Sequence, residues 1–234
     1  MRTTILFLVG ISGVGNVGQR IERMARLLGF KVLLCDPPRA EKENPALFTS
    51  LEETLAASDI VSMHVPLNPG TRGMANAAFF AQMRPGAFFI NSARGEVVVD
   101  EDLIAASSRL GPVIIDTWNG EPNVNRKLVE CAEIATPHIA GYSYQGKQLG
   151  TREVVRAVAR YFNIEPLYEF FPVADVEGLD SVKLDFNGKN QGQITAIFQY
   201  NYPVFTDDFM FRTNPGDFEI LRDNYKYRRE FFAD

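Results

Sequence analysis

Three polar side chains in the middle of the chain have the types and the order needed to oxidise a hydroxyl group. Arg94 comes first, Glu121 next and His138 last. A histidine can remove a hydroxyl proton near neutral pH, because its unperturbed pKa lies there. A glutamate beside it would stabilise the imidazolium, and an arginine would bind a substrate carboxylate through two parallel hydrogen bonds. We therefore predict Arg94, Glu121 and His138 as catalytic residues.

Each of these residues, taken alone, also has a structural explanation. A lone histidine is more often a packed or surface residue, and buried ion pairs would explain Arg94 or Glu121 singly. The three together, in this order and downstream of a nucleotide-binding motif, favour catalysis. The other histidine, His64, lies in a predicted strand just before Pro66, and we predict a structural role for it.

The nucleotide-binding motif is Gly13-Val14-Gly15-Asn16-Val17-Gly18, which follows the apolar run from Ile5 to Ser12. The run predicts a strand buried on both faces, and the helical spacing of apolar residues after the motif predicts a helix. In this context the glycines predict a turn whose amides hold the pyrophosphate of a dinucleotide. The predicted cofactor-binding residues of this turn are Gly13, Gly15, Asn16, Val17 and Gly18.

Asp36 follows the second predicted strand, Lys31 to Cys35. A carboxylate at this place accepts hydrogen bonds from the adenosine ribose hydroxyls, and its charge disfavours a ribose 2′-phosphate. The sequence therefore predicts NAD as the cofactor. Arg39 keeps NADP open as an alternative.

Strands and helices alternate over the rest of the first half. The further predicted strands are Ile60 to Val65, Ala87 to Asn91, Pro112 to Asp116 and the short piece Ala132 to Ala135, and the predicted helices are Leu51 to Ala57, Asn76 to Met83 and Glu101 to Ser108. This alternation predicts an α/β fold with a doubly wound parallel sheet, a Rossmann-type NAD-binding domain over residues 1–142. The candidate residues then fall at the carboxyl ends of the strands, where such sheets bind ligands.

Composition excludes several other classes of function. The net charge is -5 with no long basic run, so we expect no nucleic-acid partner. No apolar stretch reaches the ~18 residues of a membrane span, and we expect no membrane association. The two cysteines, Cys35 and Cys131, have neither metal-site nor disulfide spacing, which favours the cytoplasm and predicts no metal.

The pattern changes after a predicted connecting helix over residues 143–165. Alternating Val182, Leu184 and Phe186 predict a strand, and Gln191 to Tyr200 and Asp217 to Tyr225 predict helices. We predict that residues 166–234 form a small α+β domain, whose many aromatic residues are covered in a homodimer. Packing of this segment on its own nucleotide-binding domain is the alternative.

From about Val9 to Phe162 the sequence resembles the D-2-hydroxyacid dehydrogenase family. The resemblance rests on the glycine motif, on Leu34-Cys35-Asp36-Pro37-Pro38-Arg39-Ala40, and on His138-Ile139-Ala140-Gly141-Tyr142 followed by Gly146-Lys147. The segments Pro215 to Arg222 and Arg228 to Phe231 look like the end of the C-terminal dimerisation domain in one subgroup. That subgroup oxidises a small phosphorylated 2-hydroxyacid in vitamin B6 synthesis.

The resemblance implies roles for these residues. Arg94 would bind the substrate carboxylate, and His138, oriented by Glu121, would exchange the hydroxyl proton while hydride passes to NAD. The further cofactor contacts that it implies are Val65, Ala93, Arg94, Asp116 and Gly141, and the substrate contacts are Arg94 and Tyr142. Val65 stands where relatives usually have a threonine, so a hydroxyl contact with the cofactor is lost.

Members of this family begin with a segment that forms most of the substrate domain, and this chain starts only a few residues before its nucleotide fold. Two functions therefore compete. One is an NAD-dependent dehydrogenase for a phosphorylated or another D-2-hydroxyacid. The other is a non-catalytic, dimerising NAD-binding remnant.

Overall fold

A six-stranded parallel sheet forms the centre of the fold in a computed structural model, which describes residues 7–173, 185 and 187–231. The strands are β1 (Leu8–Ser12), β2 (Lys31–Cys35), β3 (Ile60–Met63), β4 (Phe88–Asn91), β5 (Val113–Ile115) and β6 (Ile134–Ala135). The helices are α1 (Asn16–Leu27), α2 (Pro37–Ala40), α3 (Leu51–Ala57), α4 (Ala77–Gln82), α5 (Asp100–Ala106), α6 (Arg126–Cys131), α7 (Tyr144–Tyr161), α8 (Gln191–Asn201), α9 (Val204–Thr213) and α10 (Phe218–Asp223). The predicted α/β fold with a doubly wound parallel sheet is confirmed.

The strand order is β2-β1-β3-β4-β5-β6, so the chain reverses its direction of travel across the sheet at β1. It first adds β2 on one side of β1 and then adds β3 on the other, with Val9 opposite Ile60. In open sheets of this kind, ligands bind in the crevice at that reversal, outside the carboxyl ends of the strands. The glycine motif lies there, directly after β1.

Side-chain caps explain where several helices begin. The hydroxyl of Ser50 accepts a hydrogen bond from the Glu53 N–H ahead of α3, and Asn76 caps α4 in the same way. At several other ends, the predicted helices and strands extend one or two residues beyond the observed ones. The strand predicted to reach Val65 ends at Met63. Pro66, three residues later, has no backbone N–H to donate to a neighbouring strand.

Aromatic rings fill the core between the sheet and the helices on one face. Phe79, Phe80 and Phe89 meet edge to face with centroids 5.2 to 6.1 Å apart, and each is at most 3% exposed. Such pairs add about 0.5–1.5 kcal/mol beyond the apolar area that they bury. They fix the position of β4, the strand that ends just before Arg94.

The chain divides into two compact units whose bounds differ from the predicted ones. The first combines the described residues up to Ala140 with Phe205–Asp223, and the second combines Gly141–Val204 with the described residues from Asn224 onward. The predicted domain over residues 166–234 is thus split between them. Phe205–Asp223 packs on the chain's own nucleotide-binding domain, which was the alternative for the tail.

Two aromatic residues account for this packing. Phe211 and Phe218 are at most 1% exposed, and the Phe211 ring lies 5.5 Å from Trp118 and 5.8 Å from Phe218. Full burial of such rings stabilises a fold by about 1.5–3 kcal/mol each. The sequence pattern indicated that the aromatic side chains of the tail must be buried, but not against which surface.

The second unit is built around α7 and α8. Ser143 caps α7 by accepting a hydrogen bond from the Gly146 N–H, and its own hydroxyl donates to Glu230. The Arg228 guanidinium lies 3.9 Å from the ring centroid of Tyr202. The strand predicted from Val182, Leu184 and Phe186 lies outside the described residues.

His64, which follows β3, is built into the protein interior. Its Nε2 lies 2.8 Å from the Ser62 hydroxyl, while its Nδ1 is buried and has no hydrogen-bond partner among the described residues. Burial lowers the pKa of His64 from 6.5 to about 4. The imidazole is therefore neutral near neutral pH, which supports a structural role.

The lowered pKa of His64 makes stability depend on pH. Because the unfolded chain takes up this proton more readily, the free energy of unfolding falls as pH drops below about 6.5. We expect a loss of roughly 2 kcal/mol from this group between about pH 7 and about pH 4.5. Urea unfolding of the unaltered chain and of His64→Gln measures it. Equal losses in both proteins would contradict the assignment.

Candidate active site

The candidate residues of the first unit lie at one edge of the sheet, each just after the end of a strand. Asp36 follows β2, Val65 follows β3, Arg94 follows β4, Glu121 follows β5 and His138 follows β6. All six strands are parallel, so their carboxyl ends share this edge. The predicted clustering of these residues follows from the topology.

Different physical constraints require glycine at the three glycine positions of the turn after β1. Gly13 has φ +88°, and a Cβ there would lie 2.7 Å from the backbone of His64 and Val65. A Cβ on Gly18 would lie 2.1 Å from the Gly13 carbonyl oxygen. A Cβ on Gly15 would meet no atom within 4 Å, so packing within the protein does not require glycine there. A closely approaching pyrophosphate does require it.

The N-terminus of α1 suits the same phosphates. Gly15 is its N-cap and provides no side-chain acceptor, so the first amides of the helix have no capping oxygen. Asn16 and Val17, the first residues of the helix, are exposed. Amides at a helix N-terminus, together with the helix dipole, favour a bound anion. The residues present therefore fit a dinucleotide.

The Asp36 carboxylate is fixed by backbone donors. Its Oδ2 accepts a hydrogen bond of 2.8 Å from the Val14 N–H, and its Oδ1 accepts one of 3.1 Å from the Arg39 N–H. Each carboxylate oxygen has a second lone pair. These lone pairs can accept hydrogen bonds from the ribose hydroxyls, which is the role that the sequence predicts for Asp36.

Arg39 is held by a neighbouring carboxylate. Its Nε and Nη2 donate to the two oxygens of Glu43 at 2.6 and 2.7 Å, and its Nη1 donates to the Val14 carbonyl at 2.6 Å. This forked pair already neutralises the one cation predicted to bind a 2′-phosphate. The arrangement favours NAD over NADP.

His138 and Glu121 form the hydrogen-bonded pair that the sequence predicts. His138 Nδ1 lies 2.8 Å from Glu121 Oε2, and the side chains are 29% and 23% exposed. The other oxygen of Glu121 accepts a hydrogen bond of 2.8 Å from the Trp118 N–H. Glu121 is thus fixed at both oxygens, and it directs Nδ1 of the histidine.

Electrostatics keep Glu121 ionised. Burial raises the pKa of Glu121, but hydrogen bonds from His138 and Trp118 and the charges of His138 and Arg222 outweigh it, so the net pKa is lowered. An ionised Glu121 accepts a hydrogen bond from Nδ1–H. In a neutral imidazole that donates Nδ1–H to Glu121, the Nε2 atom of His138 has the lone pair that can take a proton.

Asp116 lies beneath the His138 segment and is 5% exposed. Its carboxylate accepts hydrogen bonds from the Thr136 hydroxyl at 2.7 Å, the Ile139 N–H at 2.8 Å and the Ala140 N–H at 3.1 Å. Burial raises the pKa of Asp116, and these donors partly offset the rise. Asp116 therefore holds the chain on both sides of His138.

Arg94 is exposed, and no carboxylate among the described residues forms a salt bridge with it. Its Nη1 donates to the Ala93 carbonyl at 2.6 Å, which leaves other N–H groups for a ligand. A Cβ on Gly95 would lie 1.8 Å from the Trp118 carbonyl carbon, so the two backbones touch. This contact connects the Arg94 loop with the Trp118 backbone that holds Glu121.

Two predicted site residues belong to the other unit. Gly141 and Tyr142 open the second compact unit, so their proposed contacts with NAD and substrate stay predictions. Sequence reasoning missed Trp118 and Thr136 as support for the catalytic pair. A signal was present, because Trp118 lies two residues after Asp116 and Thr136 two residues before His138, but neither side chain does chemistry itself.

The fold and this geometry agree with a known family. The model of the D-isomer specific 2-hydroxyacid dehydrogenase NAD-binding domain matches residues 8–140. The chain belongs to this family. The cofactor of the matched domain is NAD, as the sequence predicted.

Similar curated proteins cover almost the whole chain. The erythronate-4-phosphate dehydrogenase of Bacteroides fragilis is 38% identical over 95% of the chain, and that of Escherichia coli is 36% identical over 95%. The chain spans 63% and 61% of the length of these two proteins.

Solved structures of the same family are also similar. D-lactate dehydrogenase of Aquifex aeolicus, in complex with NAD and lactic acid, matches 73% of the chain and 58% of its own length at 28% identity, with a TM-score of 0.60. Rhodotorula graminis D-mandelate dehydrogenase matches 60% of the chain and 44% of its own length at 34% identity, with a TM-score of 0.55.

Two kinds of feature are absent from the described residues. These residues contain no group of three or more histidine, cysteine, aspartate or glutamate side chains placed to hold a metal ion. Within the same part of the chain, no helix is both long enough and apolar enough to span a membrane.

Cofactor choice is testable at Asp36 and Glu43. Because charged hydrogen bonds are worth about 1.5–3 kcal/mol, we expect Asp36→Ala to weaken NAD binding roughly 10- to 100-fold and NADP binding less. Glu43→Ala frees Arg39 and should strengthen NADP binding. Calorimetric titration with both cofactors measures this, with exposed Glu41→Ala as the matched control. Preferential binding of NADP by the unaltered chain would overturn the assignment.

Proposed function

We propose that this chain carries the NAD-binding and proton-transferring part of a dehydrogenase that oxidises the C2 hydroxyl of 4-phosphoerythronate, a reaction of pyridoxal 5′-phosphate (vitamin B6) synthesis. The observation that carries the proposal is the His138 to Glu121 pair, with Glu121 held from its other side by Trp118. A residue that only packs would not need an ionised carboxylate fixed at both oxygens. The cytoplasm is the location that the two free cysteines favour.

The chain's own residues divide the work. Glu121 keeps the Nδ1 proton of His138 in place, and Nε2 takes the proton of the substrate hydroxyl as the carbonyl forms. Arg94 binds the substrate carboxylate with its remaining N–H groups and orients C2. NAD, when bound, would supply the acceptor for the hydride that leaves C2. The glycine turn and Asp36 hold its pyrophosphate and ribose, and Val65, Ala93 and Asp116 lie at the same strand ends.

The phosphorylated substrate is supported by the relatives. The similar proteins that cover 95% of the chain are named for erythronate 4-phosphate, whereas the lactate and mandelate dehydrogenases cover 73% and 60% of it at lower identity. Tyr142 is the proposed substrate contact of the second unit. Another D-2-hydroxyacid is the alternative substrate.

The direct test uses the native protein purified from its cells together with the 234-residue chain. We expect the native protein to reduce NAD with 4-phosphoerythronate and far more slowly with D-lactate or D-glycerate. Equal rates with all three would reject the substrate but keep the reaction. If NAD binds to both proteins but neither reduces it with any 2-hydroxyacid, the non-catalytic NAD-binding module is the function.

Substitutions of the pair test the proton transfer. We expect His138→Ala to lower turnover by roughly 10²- to 10⁴-fold, the usual effect of one positioned acid-base group, with NAD affinity nearly unchanged. Glu121→Gln removes the charge that stabilises the imidazolium, so the acid limb of the pH-rate profile should move to lower pH. Exposed Glu130→Gln on α6 is the control. An unaltered profile in Glu121→Gln would make Glu121 a structural residue.

We also propose a homodimer, because apolar side chains remain exposed on the tail helices. Phe205, Phe209 and Met210 on α9 are 58%, 66% and 52% exposed, and Ile220 on α10 is 60% exposed. Neighbouring exposed apolar residues of this size are typical of protein interfaces.

A substitution on this face tests the dimer without removing Phe211 or Phe218 from the core. Phe209→Glu should convert the dimer to a monomer, whereas Gln82→Glu, which adds the same charge at an exposed position of α4, should leave it intact. Sedimentation equilibrium at several concentrations gives the mass. A monomer throughout for the unaltered chain would show that α9 is not a dimer interface.

A further inference from the structure

The terminal strand of the sheet beside His138 is held by α9. β6 ends the strand order and pairs with β5. The backbone N–H of Ala135 in β6 donates a hydrogen bond of 2.6 Å to Oδ1 of Asp208 in α9. The side chain of Asp208 is 16% exposed, so this bond is largely protected from water. It fixes the strand that leads through Pro137 into His138.

Arg212, one turn further along α9, fastens the same region. Its guanidinium lies 2.7 Å from Asp208 Oδ1 and donates to the carbonyls of Val129 at 2.5 Å and Ala132 at 2.9 Å. Those carbonyls are at the C-terminal end of α6, where the helix dipole favours a cation. We call Asp208 and Arg212 together the α9 clasp. It joins the end of α6 to the edge of β6.

The aromatic side of α9 reaches the same segment by another route. Phe211 packs on Trp118, and the indole N–H of Trp118 donates a hydrogen bond of 2.8 Å to the Thr136 carbonyl. Thr136 lies two residues before His138. Three side chains of one tail helix therefore act on the approach to His138.

His138 needs such support because its backbone is strained. Its φ is 55°, in the left-handed region that non-glycine residues rarely adopt, and residues held there cost of order 1–3 kcal/mol. Asp116 holds the residues that follow His138 and the Thr136 hydroxyl before it. The backbone that precedes His138 is held by Trp118 and Asp208.

We propose that Asp208, anchored by Arg212, is a positioning residue that keeps the His138 imidazole on Glu121. Phe205–Asp223 thereby helps to position His138, although it lies outside the residues matched by the family model. The effect on turnover rests on the proposed dehydrogenase function, whereas the positioning itself does not.

The chain provides its own spectroscopic reporters for this test. It contains two histidines and one tryptophan. In protein labelled with ¹⁵N-histidine, the Nδ1 proton bonded to Glu121 reports the pair, and buried His64 reports the fold of the same unit. His64→Gln assigns the two signals. Fluorescence of Trp118 reports whether Phe211 remains docked against it.

We expect Asp208→Ala to abolish the His138 Nδ1 proton signal through exchange with water, while the His64 signal and Trp118 emission stay unchanged. Asp208→Asn keeps an acceptor for the Ala135 N–H and should restore the signal. Asp223→Asn, exposed in the same tail segment, should have no effect. A His138 signal of full intensity in Asp208→Ala overturns the proposal.

Arg212→Gln is a second variant in case Asp208→Ala unfolds the unit and both histidine signals are lost. It frees Asp208 but leaves Phe211 in place, and a weakened His138 signal beside an intact His64 signal supports the proposal. Full intensity in that variant overturns it.

A kinetic measurement separates this proposal from the proposed function. In the native protein, Asp208→Ala should lower kcat roughly 10- to 100-fold, the usual effect of a misplaced catalytic group, with KM for NAD unchanged. If the spectroscopic results hold but the native protein oxidises no 2-hydroxyacid, the dehydrogenase function fails and the positioning stands. Unchanged kcat in an active native protein would show that Asp208 positions nothing that limits turnover, and would overturn its role.

Discussion

The geometry of the active-site loop depends on one buried carboxylate, that of Asp116. Burying a carboxyl group is costly unless it is hydrogen-bonded, and the loop offsets this cost by directing donors at Asp116 from both sides of His138. The same hydrogen bonds leave the histidine with little freedom to move. A left-handed backbone at His138 can persist because its neighbours are fixed in this way.

The two carboxylates of the site illustrate how environment separates roles. Asp116 is buried, and its pKa is raised despite several donors, while the half-buried Glu121 has a lowered pKa because a histidine and a backbone amide bind it directly. The first carboxylate shapes the loop and the second sets which nitrogen of His138 is free. The surroundings of each carboxylate therefore determine its role.

Sequence reasoning found the sheet, the glycine turn, Asp36 and the His138 to Glu121 pair, because each has a local signal. Apolar runs mark buried parallel strands, and strand ends share one edge of the sheet by topology alone. It did not predict where Phe211 and Phe218 pack. Their partner Trp118 is remote in sequence, and the hydrophobic effect favours burial of a ring without specifying the surface that covers it. The pairing of Arg39 with Glu43 had an i, i+4 spacing and could have been predicted.

A side chain of α9 covers part of the β6 edge of the sheet. Terminal strands present unpaired backbone groups that invite other chains to add to them, and many proteins cover such strands to avoid it. Here an acidic side chain from α9 accepts the Ala135 amide. The nucleotide-binding unit of this chain is therefore discontinuous in sequence, and a chimaera that carries it would need both residues 8–140 and Phe205–Asp223.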